Sequence, residues 1–324
     1  MKIGRISETV LKRSVLKHIT FKSSYLKQGP AAGESSGRLA AGEHKDVIAA
    51  AVSVSGNVER TGKRAFYRLA NDMAAAGGRL AGMLITLYLP AGVGEDMIKA
   101  VMDELARLSA AHRVDILGGH TEVLGTLSEP VLSLSGTGFA DKKTNVRSGS
   151  LEPGFDLVMT KWAGRSGAAE LIGEDSRSGL RSRFTDDFLD RAAQGVQAMD
   201  STAEAEIAVA HGVTALCSVG AKGVFGALWE MGEASGTGLR VDLKKISICQ
   251  ETIEICEYFN CNPYLIASDG VLLAGTPDGA RLVERFAGTG VPAAVIGTVT
   301  EEQGRVVING DETRFLTPPA PCDG

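Results

Sequence analysis

The chain has 324 residues, with 34 lysines and arginines against 39 aspartates and glutamates, so its formal net charge is −5. Nucleic-acid binding normally uses a basic face, and this charge balance disfavours such a partner. Hydrophobic residues make up 44% and charged residues 23%, which is typical of a soluble globular chain with one large or two medium domains. Glycine is frequent, at 40 residues, which predicts many turns and close backbone contacts.

Membrane and secretory segments are not indicated. The longest apolar stretch, residues 81–93, is interrupted by Tyr88 and Pro90 and is shorter than the roughly 18 residues that span a bilayer. Basic and apolar residues alternate at helical spacing near the N-terminus, which predicts an amphipathic helix rather than a signal peptide. Five cysteines without paired spacing favour a reducing compartment, so we expect a cytoplasmic protein.

Strands and helices alternate through the first half of the chain. Residues 28–43 are rich in Gly, Ala and Ser and are predicted to form a loop that could act as a flap. After this loop, apolar runs predict strands, and apolar residues spaced three and four apart predict helices. The predicted strands are residues 47–54, 82–89, 114–117 and 130–139, and the predicted helices are residues 62–76 and 95–111.

A domain boundary is predicted near residue 150, where RSGSLEPGFD at 147–156 loses periodicity. We expect an α/β (α+β) chain with domains at 1–150 and 151–316, followed by a poorly ordered tail at 317–324. In the second domain, helices are predicted at 168–172, 186–198, 202–210, 224–234, 250–259 and 278–286. Strands are predicted at 157–160, 214–219, 239–241, 264–267, 271–273 and 294–299.

Several well-known catalytic motifs do not occur. A P-loop is not matched, because Gly56 and Gly62 are one residue too far apart and Arg64 follows Lys63. The sequence also has no dinucleotide-binding G-x-G-x-x-G between a strand and a helix, no G-x-S-x-G elbow and no H-x-x-x-H pair. These patterns argue against the corresponding nucleotide-binding and hydrolase classes.

The first polar cluster is Asn71-Asp72, inside an otherwise apolar predicted helix. A carboxylate among alanines and methionines is costly to bury unless it binds something, so Asp72 is a candidate metal ligand. An exposed or capped helix acid is the alternative interpretation, and spacing alone favours it.

Two further clusters follow predicted strands. In ILGGHTEV, residues 116–123, the glycine pair would let backbone N–H groups approach an anion, although a tight turn with surface polar residues is the alternative. In TKWAGRSG, residues 160–167, the start of a helix and the charge of Lys161 could hold a phosphate.

Six sequence segments occur along this chain in the same order as in a known protein family. They are GPAAGES at 29–35, GKRAFYRLANDMAAAGG at 62–78, MLITLYLP at 83–90, ILGGHTEV at 116–123, PGFDLVMTKWAG at 153–164 and GVFGALWEMGEASGTGLRVD at 223–242. In this order they resemble the AIR synthase (PurM) superfamily, and most closely its HypE and AIR-synthase-related members. The resemblance covers nearly the whole chain, which makes it more specific than any single motif.

This resemblance implies a PurM-like fold in which the N-terminal domains of two copies pair into a β-barrel dimer, with ATP in the cleft nearby. It implies ATP-dependent activation of an amide or acyl oxygen, as in the carbamoyl dehydration of hydrogenase maturation, and a maturation protein as a partner. It also implies Mg²⁺ held by Asp72, and catalytic roles for Glu122 and the tail thiol of Cys322. The implied nucleotide contacts are Asn71, Asp72, Gly118, Gly119, His120, Thr121 and Lys161.

Four departures from the family pattern fall on expected acids. They are Ser35 after Gly33-Glu34, a strand at 49–55 without a carboxylate, His120 after the glycine pair, and Cys217-Ser218 before the glycines of the second domain. Asp46 is a candidate replacement for a lost acidic ligand, although its register fits poorly. Cys322 is followed by Asp323 and Gly324, whereas the corresponding cysteine of HypE is the C-terminal residue.

The lost carboxylates leave alternatives open, because Mg²⁺ prefers several oxygen ligands. One alternative is a catalytically degenerate homologue that acts as a binding or regulatory scaffold. Another is a cyclo-ligase of the purine-biosynthesis type.

Overall fold

The computed structural model describes residues 58–319 without a gap, together with residues 8, 26–28, 31, 34, 36–42 and 45–56. Most of the predicted N-terminal helix, much of the predicted flap, and Cys322 in the tail lie outside the described residues. In the described part of the chain, no helix is both long and apolar enough to span a membrane.

The first sheet has six strands in the order β1-β2-β3-β6-β4-β5. Neighbouring strands are antiparallel except β4 and β5, which run parallel. Along β3, Ile48, Ala50 and Val54 point into the core and alternate with exposed neighbours, as expected for a sheet covered on one face. The strands are β1 (Leu26–Gln28), β2 (Ser36–Ala41), β3 (Lys45–Ser55), β4 (Gly78–Pro90), β5 (Asp115–Leu124) and β6 (Val131–Asp141).

Two long helices pack with this sheet to form the first core, α1 (Val58–Ala75) and α2 (Glu95–His112). On α1, Phe66, Leu69 and Met73 recur at helical spacing and are fully buried. Together with strand residues such as Leu132 they form a continuous apolar core. The core therefore lies on one side of the sheet.

The second sheet has seven strands in the order β13-β12-β9-β11-β7-β10-β8, all antiparallel to their neighbours except β9 and β12. Every residue of β10 is buried, which fits its place inside the sheet. The strands are β7 (Asp156–Thr160), β8 (Ala215–Gly220), β9 (Gly238–Asp242), β10 (Ser268–Thr276), β11 (Ala293–Thr300), β12 (Arg305–Asn309) and β13 (Glu312–Phe315).

Short helices surround the second sheet. The longest of them, α7, is buried along most of its length, with Val224, Leu228 and Met231 in the core of this domain. The helices are α3 (Arg165–Leu171), α4 (Glu174–Leu180), α5 (Asp186–Ala193), α6 (Thr202–Ala210), α7 (Gly223–Ser235), α8 (Gln250–Tyr258) and α9 (Gly279–Ala287).

The structure confirms the mixed α/β fold and corrects three local predictions. The predicted loop at 28–43 contains β2, which pairs along its length with β3. The predicted strand at 114–117 continues to Leu124, because the glycine pair lies within the ladder with β4 rather than in a turn. Residues 264–267 do not form a strand, because Tyr264 and Leu265 belong to a turn in which Leu265 N–H donates to Asn262 O.

Other elements escaped prediction because they are short. They include β12, β13 and α4, whose sequence EDSRSGL has no clear apolar stripe. The six described strands of the first sheet form an open sheet, so within one copy they do not close a barrel. A barrel shared by two copies remains a prediction.

Candidate functional site

Helix α1 touches both domains. Its apolar face packs on the first sheet, and α6, β8 and β10 of the second domain lie against its other side. Polar side chains recur along that other side at helical spacing: Arg64, Arg68, Asn71 and Asp72. We call these four residues the α1 polar stripe.

Two arginines of the stripe form ion pairs with the second domain. Arg68 Nε lies 2.6 Å from Asp269 Oδ1, and Arg68 Nη2 lies 3.1 Å from Asp269 Oδ2. The buried Asp269 also donates its backbone N–H to Ser166 Oγ at 2.8 Å. One turn earlier on α1, Arg64 lies 2.9 Å from Glu170 of α3. These contacts fix how α1 is rotated against the second sheet.

Asn71 clamps the domain junction through its amide. Its Nδ2 donates to Met199 O at 2.7 Å, and its Oδ1 accepts from Ser201 N–H at 2.9 Å. The side chain is only 1% exposed. Both amide atoms are therefore engaged with the backbone of the second domain.

Asp72 lies beside β8 and is partly buried. Burial raises the pKa of its carboxyl to about 6, although the Lys222 ammonium, a hydrogen bond with Ser218 and the Arg68 guanidinium all favour the ionised form. A carboxyl group with this pKa can take up or release a proton near neutral pH.

A small cavity opens at Asp72, between the two domains. Its volume is about 20 Å³, room for roughly one water molecule. We call it the junction cavity. Its polar lining residues are Glu34, Asp72, Arg147, Ser148, Cys217 and Ser218.

Glu34 connects the upstream segment to this cavity. Its Oε1 accepts from the backbone N–H of Gly149 at 3.2 Å, and its Oε2 accepts from Gln28 Nε2 at 2.9 Å. Glu34 comes from the GPAAGES segment, so the structure brings part of that segment to Asp72.

A buried ammonium stands behind the cavity lining. Lys222 follows β8 directly, and its Nζ lies 2.9 Å from Glu230 Oε2 on α7, with both side chains about one-tenth exposed or less. Burial disfavours the charge on Lys222, but the neighbouring Cys217, Glu230 and Asp72 outweigh burial and raise its pKa. Burial also raises the pKa of the Cys217 thiol. The Lys222–Glu230 pair therefore places a buried ammonium behind Cys217 and Ser218 and adds no net charge.

Lys161 serves a different part of the junction. It lies at the end of β7 with a left-handed backbone, φ 57°. Its ammonium donates to Asp200 O and lies 2.5 Å from Glu204 Oε1 on α6. The predicted phosphate ligand is thus paired with a buried carboxylate in this structure.

The ILGGHTEV residues lie on β5, the edge strand of the first sheet. Gly119 is required there by packing, because a Cβ on it would lie 1.8 Å from Ile85 O of β4. His120 Nε2 lies 3.0 Å from Glu122 Oε2, and both side chains are more than half exposed. Within the described residues, β5 pairs with β4 and His120 contacts Glu122, so the structure does not bring Gly118, Gly119, His120, Thr121 and Glu122 to the α1 polar stripe.

Two family models match the chain. The N-terminal domain of AIR synthase related protein matches residues 39–140, and the C-terminal domain of the same family matches residues 152–309. The chain belongs to the AIR synthase related family. Both halves of the chain therefore match this family.

Curated relatives of this AIR synthase related protein are distant in sequence but similar in length. A protein of Methanocaldococcus jannaschii, provisionally named a hydrogenase expression/formation protein, is 24% identical over 317 residues, covering 94% of this chain and 91% of the relative. The carbamoyl dehydratase HypE of Rhodobacter capsulatus is 26% identical over 252 residues, covering 76% of this chain and 72% of that protein.

Solved structures share the fold. A hydrogenase maturation protein HypE in complex with ATP has a TM-score of 0.73 at 18% identity, covering 97% of this chain and 95% of that chain. HypE in a HypE–HypF complex also has a TM-score of 0.73 at 18% identity, covering 95% of this chain and 99% of that chain. At this identity the likeness establishes the fold.

The junction cavity has two carboxylates in its lining that could contact Mg²⁺, Asp72 and Glu34. In the described part of the chain, no three His, Cys, Asp or Glu side chains are grouped so that they could hold a metal ion. Glu34 accepts hydrogen bonds from Gln28 and Gly149 through its two carboxylate oxygens, whereas the Lys222 and Arg68 cations act on Asp72.

The sequence indicated Asp72 as a candidate site residue but did not indicate most of the residues that lie near it at the domain junction. The spacing of Arg64, Arg68 and Asn71-Asp72 could have revealed one polar face opposite the apolar one. The pairing of Lys222 with Glu230, eight residues later, had no distinctive local signal, because it depends on how the turn into α7 is buried.

Proposed function

We propose that this protein binds ATP at the domain junction and uses it to activate an amide or acyl oxygen, as the name carbamoyl dehydratase implies for its relatives. The observation that carries the proposal is the α1 polar stripe, which places Asp72 where residues of the two domains meet. The family match over both domains and the relatives named HypE support it.

Arg147 is the cation that we assign to the nucleotide's phosphates. It lines the junction cavity next to Ser148, and its Nε donates to the Asn145 side chain at an exposed position. A guanidinium suits this role because it binds phosphate through two parallel hydrogen bonds.

Asp72 is the group that we assign to proton transfer. Conversion of a carbamoyl thioester to a thiocyanate removes the oxygen and both protons of the amide nitrogen, so a proton acceptor must be nearby. Its pKa of about 6 leaves Asp72 mostly ionised and able to accept a proton at neutral pH. The role assigned to Glu122 and the nucleotide contacts predicted for β5 would require a neighbouring copy, because β5 lies at the sheet edge.

The tail begins close to this site. A Cβ on Gly226 would contact both Lys222 Cβ, at 3.2 Å, and Pro319 Cγ, at 3.4 Å. Cys322 is three residues beyond Pro319, a reach of up to about 10 Å for extended chain. This starting point supports Cys322 as the thiol that carries the carbamoyl group.

A homodimer through the first sheet is part of the proposal. Within the described residues, β5 pairs only with β4, and every residue but the last of β5 is exposed. A groove of about 520 Å³ on the sheet is lined by Leu84, Leu117 and small residues of β3 and β6. An unpaired edge next to exposed leucines is suited to a second copy of the same sheet.

We further propose a cytoplasmic location and a maturation protein as partner. The four cysteines that the structure describes are free thiols, which is consistent with a reducing compartment. A HypE–HypF complex among the solved structures of the same fold supports a maturation protein as partner.

A non-catalytic scaffold is the second candidate. Ser218 and Lys222 favour it, because a hydroxyl and an ammonium stand where the family resemblance implies acidic chemistry. Such a protein would keep the dimer and the domain junction but would not turn over ATP.

Mass spectrometry of the tail separates the two candidates. Mild cyanate treatment carbamoylates cysteine thiols, and the mass of the tail peptide that carries Cys322 is then followed after ATP is added. We expect an ATP-dependent loss of one water from the tail peptide, absent in Asp72→Asn and in Cys322→Ser. A carbamoyl group that stays intact while ATP is bound would favour the scaffold.

A further inference from the structure

We propose that a second cavity, within the C-terminal domain, binds a phosphate group. It lies between α3, α5 and α8 and has a volume of about 120 Å³. Among the described residues that line it, none also lines the junction cavity, so this site is separate from the one proposed for ATP. We call it the α3–α8 cavity, and its polar lining residues are Arg165, Arg191, Gln194, Cys249, Glu251 and Thr252.

Arg165 supplies the first cation of the α3–α8 cavity. Its guanidinium carbon lies 5.2 Å from the centre of the Trp162 ring, so the side chain is stacked on an aromatic face. Among the described residues, this guanidinium has no hydrogen-bond partner and no carboxylate at ion-pair distance. Its N–H groups are therefore available to donate to an anion in the cavity.

Arg191 and Glu251 supply the other charges of the lining. Arg191 Nε lies 3.1 Å from Glu251 Oε1, and the Arg191 side chain is 58% exposed, so the cavity can be reached from solvent. A backbone hydrogen bond and Arg191 lower the pKa of Glu251, which is therefore ionised at neutral pH. Two guanidiniums and this one carboxylate give the described lining a net charge of +1, which favours an anionic ligand.

The other carboxylates of α5 and α8 do not line the α3–α8 cavity. Asp190 of α5 is paired with Arg177, and Glu254 of α8 is paired with Arg183. Each of these pairs is neutral, and neither arginine lines the cavity. The positive charge of Arg165 is therefore not offset by the neighbouring helix surfaces.

Thr252 adds a hydroxyl to the two guanidiniums. It lines the cavity and is 1% exposed, and among the described residues its hydroxyl has no hydrogen-bond partner. A buried hydroxyl without a partner is unfavourable, and a ligand oxygen that accepts its hydrogen bond would remove that cost. Donors on α3, α5 and α8 then surround one space, which suits the tetrahedral oxygens of a phosphate group better than a planar carboxylate.

The size of the α3–α8 cavity limits the ligand. Its volume of about 120 Å³ corresponds to roughly four water molecules, at about 30 Å³ for each. A phosphate group fits into this space, whereas a whole adenine nucleotide does not. The ligand is therefore inorganic phosphate or the phosphate end of a small monoester.

Titration of inorganic phosphate at constant ionic strength, followed by Trp162 fluorescence, tests the inference. All proteins carry Trp229→Phe, so that Trp162 is the single tryptophan. We expect a saturable change with a millimolar dissociation constant, because Arg165 is stacked on Trp162. No saturable change up to about 100 mM phosphate would overturn the inference. Equal affinities for phosphate and acetate would overturn the assignment to phosphate.

Two variants keep the Arg165–Trp162 contact and locate the phosphate. Arg191→Met should raise the dissociation constant about tenfold or more, and Thr252→Val should raise it about threefold with little change in melting temperature. Arg181→Met is the control, because Arg181 is exposed, pairs with Asp186 and does not line the cavity. Unchanged constants in Arg191→Met and Thr252→Val would contradict the site.

A further variant separates this site from the junction cavity. Arg147→Met removes the cation that the proposed function assigns to the nucleotide, and it should leave the phosphate constant from Trp162 fluorescence unchanged. A fluorescence change that is lost in Arg147→Met would place the phosphate at the junction cavity and overturn the inference. Failure of ATP binding alone would overturn the proposed function and leave the α3–α8 cavity standing.

Protection of Cys249 from alkylation gives an independent readout. This free thiol lines the cavity and is half-buried, so bound phosphate should slow its reaction with iodoacetamide about threefold or more. Peptide mass spectrometry follows Cys249 together with Cys261, a half-buried thiol outside the cavity, whose rate should not change. Arg165→Met should abolish the protection. Equal rates for Cys249 with and without saturating phosphate would contradict the proposed site.

Discussion

Arg68 on α1 and Asp269 at the start of β10 form a two-point ion pair across the domain junction, with Nε–Oδ1 at 2.6 Å and Nη2–Oδ2 at 3.1 Å. The Asp269 side chain is 1% exposed, so the pair is removed from water. Beside it, Asn71 binds the backbone on both sides of Asp200. The contacts of Arg68 and Asn71 with the second domain therefore hold Asp72 in position.

Removing Arg68 should destabilise the protein strongly. Arg68→Met leaves Asp269 buried without its partner, and we expect the free energy of unfolding to fall by about 3–5 kcal/mol. Urea unfolding measures this loss. Arg314→Met, which removes an exposed pair with Glu312, is the matched control and should cost less than about 0.5 kcal/mol. Equal losses in the two variants would contradict the buried-pair account.

The raised pKa of Asp72 predicts a pH dependence of stability. Its folded pKa of about 6 lies above the ordinary value of 3.8, so between these pH values the folded state binds a proton that the unfolded state releases. This contribution to stability is complete below the unfolded pKa and is lost as pH rises through about 6. Relative to Asp72→Asn, the wild type should lose about 2 kcal/mol from pH 4 to pH 7.5. Parallel stability curves for the two proteins would refute this prediction.

Gly119 should tolerate no side chain. In Gly119→Ala the new Cβ would meet Ile85 O at 1.8 Å, so β5 must shift away from β4, and we expect a loss of about 3 kcal/mol in unfolding free energy. Gly125→Ala is the control, because nothing lies within 4 Å of a Cβ there. Similar melting temperatures for the two variants would argue against the packing role of Gly119.

The proposed dimer should depend on the exposed leucines of the first sheet. Leu117 is 61% exposed beside the groove, and Leu117→Glu should convert a dimer to a monomer in sedimentation experiments. Leu265→Glu is the control, since Leu265 is 50% exposed in the other domain. A wild-type protein that sediments as a monomer at all concentrations would exclude this interface.

Much of the fold could be predicted because long periodic segments dominate it. The apolar spacing of Phe66, Leu69 and Met73 identified α1, and the apolar runs identified β3, β4 and β6. The glycine pair of ILGGHTEV was misleading, because Gly119 is required by the backbone of β4 and does not end the strand. A pairing requirement of this kind is not visible in the local sequence.

The candidate site was predictable only in part. Asp72 stood out as an acid in an apolar helix, but Arg147, Ser218 and Glu34 meet it only through the packing of two domains. Lys161 was expected near phosphate, whereas the fold pairs it with Glu204, 43 residues later in the chain. Long-range pairings of this kind depend on tertiary structure, which spacing does not encode.

Calorimetric titration of ATP into the wild-type protein and into the Arg147→Met and Lys143→Met variants tests whether a nucleotide binds at the domain junction. We expect the wild-type protein to bind ATP with a dissociation constant in the micromolar range. Arg147→Met should raise this constant about tenfold or more, because a guanidinium–phosphate contact is lost. Lys143→Met, which removes an exposed cation outside the junction cavity, should leave the affinity unchanged. No heat of binding at millimolar ATP, or the same affinity in all three proteins, would contradict nucleotide binding at the domain junction.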